Sequence, residues 1–308
     1  MSTLSEEPAG LGPSRRYIDL ARLGRTDWRC GLGGLGRIVI YSVAGLIAGF
    51  IGSGLVIVIV IAVRPVLGSG AYLGTLAPVA MTVAAAGMTW MMIKGVQHAV
   101  TLSQQRPLWS LYGNVNGLSV PRIAIGLGIA LIGEAAILQG SAWISGDNVG
   151  WFDWPASEMA TLSCLANLAL VLIQASGEEL IFRGWLTQSL GQVVRSRFAL
   201  TLIIALLFAL SHGFSHGIFT LPYFMIASLE FSALSLRDGR LELAIGAHIA
   251  HNWLSVLSPP PGENPSLTAG LNEPIDGVDL ATSLLVLLLV CGLVELLRRY
   301  RWLSSSAT

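Results

Sequence analysis

LVLIQASGEELIFRGW, residues 170–185, is an apolar run that passes, with no proline to interrupt it, into Glu178, Glu179 and Arg183. Together with the apolar residues before it, the run is long enough to cross roughly 30 Å of hydrocarbon as a helix. Ionisable groups in that layer cost about 2.5–3.5 kcal/mol each on insertion scales, so they mark either a functional cavity or a paired structural contact.

The rest of the chain is of the same kind. Of 308 residues, 53% are hydrophobic and 12% charged, and the mean hydropathy of +0.68 lies outside the soluble range. Eight apolar runs are read as helices: 38–63, 72–93, 123–144, one from 157 through the quoted stretch, 198–212, 218–236, 241–257 and 280–297. The expected fold is therefore all-α, a polytopic membrane protein with about eight transmembrane helices. The first run is too long for a signal-peptide core and is expected to be retained.

Basic residues alternate from loop to loop. Six arginines from Arg15 to Arg37 precede the first run, Lys94, Arg106 and Arg122 separate the second and third, and Arg195 and Arg197 follow the fourth. Arg237 and Arg240 follow the sixth, and Arg298, Arg299 and Arg301 follow the last. The other side carries Arg64 against acidic residues such as Asp147, Asp153, Glu273 and Asp276. The positive-inside rule then puts both termini in the cytoplasm. Net charge is zero, so no acidic or nucleic-acid partner is implied, and the basic N-terminal arm suits membrane lipid.

Three segments are expected: an Arg-rich cytoplasmic tail over 1–36, poorly ordered or lying on the membrane surface; a helical membrane domain over 37–302; and a short cytoplasmic tail over 303–308. Cys30, Cys164 and Cys291 have no CxxC spacing, so neither a disulfide framework nor a thiolate metal site is expected. The 258–277 loop is Pro- and Gly-rich and acidic, and the 104–122 segment is expected at the membrane interface with Trp109 and Tyr112 as anchors.

The chemistry concentrates after the Glu-Glu pair, where four of the five histidines follow: His212, His216, His248 and His251. Glu179 and Arg183, four residues apart on a helix, share a face and are read as a structural ion pair. Glu178 is turned about 100° away toward other helices, the setting of a general base or acid. Phe208 with His212 and His248 with Asn252 repeat the four-residue spacing on helices five and seven. Glu178 and His212 can activate a water, with His248 and Asn252 as donors to an oxyanion; the reaction implied is amide hydrolysis. The same groups, Glu178, His212 and His248, can instead be ligands of a divalent metal such as zinc, although no HExxH is present. Arg240 precedes His248 by only eight residues, about 12 Å, so helix seven must start deep to reach the others. His216 and His251 are read as solvated or as helix–helix contacts, and Glu134 and Glu230 as cavity-lining or snorkelling.

In order, Glu178-Glu179-x-x-x-Arg183, Phe208-x-x-x-His212 and His248-x-x-x-Asn252 resemble the EExxxR, FxxxH and HxxxN motifs of the CAAX protease and bacteriocin-processing family, also called type II CAAX prenyl endopeptidases. The resemblance covers about 157–257. It implies an eight-helix intramembrane endopeptidase, often labelled a metalloprotease, with its site among helices four, five and seven and open to the cytosol. Glu178 and His212 would activate water, His248 and Asn252 would hold the oxyanion, and Glu179 and Arg183 would be structural. The expected substrate is a hydrophobic or lipid-anchored peptide. The alternative is a non-catalytic membrane protein for bacteriocin-type immunity, scaffolding or transport. Of the 18 basic residues one, Lys94, is lysine, a bias of GC-rich genomes that points to a prokaryotic plasma membrane.

Overall fold

The computed structural model describes residues 17–67, 71–113, 117–145, 158–213, 217–257 and 275–299. All eight apolar runs are helical. They form α1 (Trp28–Leu67), α2 (Ala71–His98), α3 (Val120–Ser145), α4, α5 (Arg197–Ser211), α6 (Thr220–Asp238), α7 (Glu242–Leu257) and α8 (Gly277–Arg299). The α4 rod comprises Glu158–Glu179, a π-helical turn Leu180–Leu186 and a final α-turn Thr187–Leu190.

Among the described residues, four helices are long and apolar enough to cross a membrane: Trp28–Gly52, Val120–Trp143, Cys164–Leu190 and Gly277–Arg299. This is an all-α chain of the multi-pass integral membrane type. Large apolar side chains such as Val39, Ile40, Val43, Ile47 and Phe50 of α1 are exposed, as expected where the surrounding solvent is lipid and helix pairs associate by close packing.

The helices pair as α1 with α2, α3 with α7, and α5 with α6, while α4 lies against both α2 and α7 and α8 against α3 and α6. The centre of this arrangement is α7, whose residues from Leu241 to Ala250 are all buried. Two features bring it there. The turn after α6 is made by Gly239 at φ 73°, a left-handed residue whose N–H bonds the Ser235 carbonyl. Farther on, Gly246 lies so close to α3 that a Cβ there would collide with the Ile123 carbonyl and the Leu127 amide. α7 is thus buried among its neighbours from its first turn, and His248 reaches Glu179 on α4. The entry is held by Glu242, which accepts from Arg240 and from the Ser119 amide, and by the Leu241 amide on the Tyr112 carbonyl.

Two expectations need correction. The 1–36 tail, expected to be poorly ordered or lying on the membrane surface, is partly core: Tyr17, Ile18 and Ala21 are buried, Tyr17 at 1% exposed, and α1 begins at Trp28, ten residues before the expected run. The reason is chemical. The Tyr17 hydroxyl donates to the carbonyls of Leu111 and Arg183 at 2.9 and 3.0 Å, and burial keeps its phenol above the usual tyrosine range, hence a donor. The 104–113 segment, expected at the interface, is partly core. Arg106 is buried and donates to Gln188, Ser110 and Gln104, with burial lowering its guanidinium to about 10. The 303–308 tail and most of the 258–277 loop lie outside the described residues.

Candidate active site

Glu178 and Glu179 stand at the end of the regular part of α4, immediately before the π-turn. Wider helical turns of this kind are rare and occur often at functional sites. Two backbone carbonyls in the turn are satisfied from outside the regular ladder: Arg183 by Tyr17, and Phe182 by the Thr187 hydroxyl at 2.7 Å.

Glu179 and Arg183 are both fully buried and paired at 2.8 Å. The guanidinium also donates to the Ser228 hydroxyl at 2.7 Å and carbonyl at 3.1 Å. It lies over the faces of Phe208 and Phe231 at 4.6 and 5.2 Å, which is favourable for a desolvated cation. The same Glu179 oxygen receives Nδ1 of His248 at 2.8 Å. One carboxylate therefore holds a side chain of its own helix and one of α7.

Glu178 faces differently. Its Oε1 accepts from Gln174, one turn earlier, at 2.9 Å. Its Oε2 is buried without a direct hydrogen-bond partner, and the imidazole Nε2 atoms of His248 and His212 lie 3.7 and 3.9 Å from it. Separations of that size are too long for a direct bond and suit a bridging oxygen. His212 caps α5 with Nδ1 2.9 Å from the Phe208 carbonyl. Nδ1 of each ring faces an acceptor and so carries a proton, which leaves Nε2 of each turned toward Glu178. Stacking fixes the ring planes, His212 on Phe224 with centroids 4.2 Å apart and His248 on Phe231 with centroids 4.5 Å apart.

The structure thus brings Glu178, His212 and His248 together, with Glu179 and Arg183 behind them. Asn252, one turn beyond His248, is half-buried and makes no side-chain hydrogen bond among the described residues. His216 lies outside the described residues, and His251 belongs to a different cluster with Glu134. Ser228, Phe224 and Phe231 were not singled out from sequence; they come from α6 and carry no spacing signal relative to α4. Gln174 was legible in principle as a polar residue four before Glu178.

A divalent metal does not fit this arrangement. Among the described residues no group of three His, Cys, Asp or Glu side chains is placed to hold a metal ion.

Fold and site together define a multi-pass α-helical membrane protein with a buried Glu/His cluster. Residues 160–254 match the family described as type II CAAX prenyl endopeptidase Rce1-like. Residues 160–254 thus form a domain of that family, in accord with the three motifs. Over 165 residues it is 28% identical to the uncharacterized protein YyaK of Bacillus subtilis (strain 168), an alignment covering 52% of this chain and 55% of the relative. The chain thus spans about half the length of that curated relative. No solved structure matches it.

Proposed function

We propose that the protein is an intramembrane endopeptidase that hydrolyses a peptide bond in a membrane-associated or lipid-modified protein or peptide. The observation that carries this reading is the unbonded Oε2 of Glu178, buried and faced by Nε2 of both His212 and His248. A water bridging these atoms is held by His212 and gives a proton to Glu178 as its oxygen attacks the scissile carbonyl carbon. The C–N bond then breaks, and Glu178 passes the proton to the leaving nitrogen, so the products are a carboxylate and an amine.

The oxyanion of the tetrahedral intermediate is taken by His248 and Asn252. Because Nδ1 of His248 is committed to Glu179, Nε2 is the ring nitrogen that faces the oxyanion, and it donates there when both ring nitrogens carry a proton. Glu179 and Arg183 are positioning residues that fix the height and tilt of the ring. Eight membrane crossings, both termini in the cytoplasm and a prokaryotic plasma membrane complete the reading, supported by the eight helices and the alternating basic loops.

The test is Glu178→Gln in purified, membrane-reconstituted protein. Loss of the general base is expected to lower cleavage of a hydrophobic peptide by about 10²–10⁴-fold while insertion and the unfolding midpoint stay near wild type. Retained cleavage overturns the assignment. A cellular phenotype that survives both Glu178→Gln and His212→Gln would favour the non-catalytic role.

A further inference from the structure

Beyond Phe231 lies a second polar cluster that the proposed reaction does not use. Phe231 stacks on His248 and meets His251 edge-on, with centroids 6.5 Å apart. His251 turns away from Glu178: its Nδ1 is 3.2 Å from Glu134 Oε2 on α3, and its Nε2 is 3.5 Å from the Tyr223 hydroxyl on α6. These three residues, with Glu230 of α6 and Asp279 of α8, line a cavity of about 200 Å³ among α3, α6, α7 and α8. The remaining wall is mostly apolar and includes Ala227, Leu254 and Val286.

Charge in this cavity is out of balance. Glu134 and Glu230 are 5% and 4% exposed, and Oε1 of each is buried with no hydrogen-bond partner among the described residues. Of the three carboxylates that line the cavity, Asp279 is exposed and accepts from the Asp276 amide, and Glu134 is faced by His251 at 3.2 Å. Glu230 is the buried carboxylate with no ionic partner among the described residues, and a charge so placed is strongly unfavourable without a counter-charge.

A proton would neutralise one carboxylate but needs no room. A bare divalent ion needs several oxygen ligands at about 2.0–2.6 Å, and no described group is so arranged. The volume is that of six or seven waters at about 30 Å³ each, and the apolar walls match a hydrocarbon stem. We propose that the cavity binds an alkylammonium or alkylguanidinium group, its charged head between Glu134 and Glu230 and its stem against Leu254 and Val286. A guanidinium suits it well, because it is weakly hydrated and forms paired, charge-assisted bonds to carboxylates. The source is either a free amine or the side chain of a basic residue in a peptide.

The full chain in lipid nanodiscs is titrated with n-butylammonium and n-butylguanidinium chloride, and the thermal unfolding midpoint is followed. Uncharged n-butylurea, sodium chloride and calcium chloride serve as controls at matched concentration or ionic strength. A saturable rise with the two organic cations alone is expected, with binding at least tenfold weaker in Glu230→Gln and Glu134→Gln. Ala227→Leu, which fills the wall without removing a charge, should also block it and covers the case in which a carboxylate variant does not fold. Competition by a lysine-containing peptide, and not by its norleucine analogue, assigns the ligand to a peptide side chain; competition by amines alone assigns a free amine. The proposal is overturned if butylurea or either salt stabilises equally, or if the variants bind as wild type does. Binding is read without turnover, and Glu178→Gln should bind normally, so this inference and the hydrolytic reading fail separately.

Discussion

Replacing Arg183 by methionine isolates the energetics of the buried cluster. The substitution keeps most of the volume but removes a 2.8 Å ionic bond to Glu179, two bonds to Ser228, and a cation seated against Phe208 and Phe231. What remains is a fully buried carboxylate whose one donor is Nδ1 of His248, since Glu179 Oε2 is already without a partner. Breaking a buried pair from one side costs about 3–5 kcal/mol, because the other charge stays behind. The Ser228 hydroxyl also loses its guanidinium donor and the Ser228 carbonyl an additional one, so the upper half of that range is expected. Adding Glu179→Gln should recover more than half of the loss, because it removes the stranded charge while an amide oxygen still accepts from His248. Equilibrium unfolding in mixed detergent micelles, followed by tryptophan fluorescence, measures all four corners of the cycle. The reasoning is refuted if Arg183→Met costs under about 1 kcal/mol, or if the double variant is as damaged as the single one, since the penalty of an abandoned buried charge sets both numbers.

Three further outcomes are expected. Tyr17→Phe leaves the Leu111 and Arg183 carbonyls without their shared donor and should cost about 1–3 kcal/mol in the same unfolding assay; no measurable change would mean that this segment is not seated on α4. Gly246→Ala drives a methyl group into the α3 backbone and should destabilise by at least about 1–3 kcal/mol, as overpacking does, whereas Gly292→Ala, where a Cβ meets nothing within 4 Å, should be neutral or mildly stabilising. Cleavage should survive incubation with a strong chelator, because Glu178, His212 and His248 are not spaced to ligate a metal; loss of activity that zinc restores would contradict that geometry.

What could be read along the chain was whatever depends on one helix at a time. The apolar runs reported the eight helices, and the four-residue spacing of Glu179 and Arg183 reported a pair that the structure holds at 2.8 Å. What depends on two helices was partly hidden. Ser228 and Phe231 complete the cluster from α6, and no periodicity links them to α4. The depth of His248 was in conflict with a simple count from Arg240, because the count assumed that α7 starts at the membrane surface. In the fold α7 is buried from its first turn, held by Glu242, Leu241 and Gly246, and His248 meets Glu179 and Glu178. Tyr17 was lost for a different reason: arginine-rich flanks masked a short apolar patch, and one of the two carbonyls it serves, that of Arg183, lies in a π-turn that sequence periodicity does not announce.

The hydrogen bond from Tyr17 to the Arg183 carbonyl joins positions 166 residues apart. On the ribosome, Tyr17 emerges long before α4 exists, so the residues made early are among those seated late. Until Arg183 is made, Tyr17 has only the Leu111 half of its socket. Contacts of such long sequence separation form slowly. One support of the Glu/His cluster is therefore supplied by a segment made before α1, across the whole chain between these two positions.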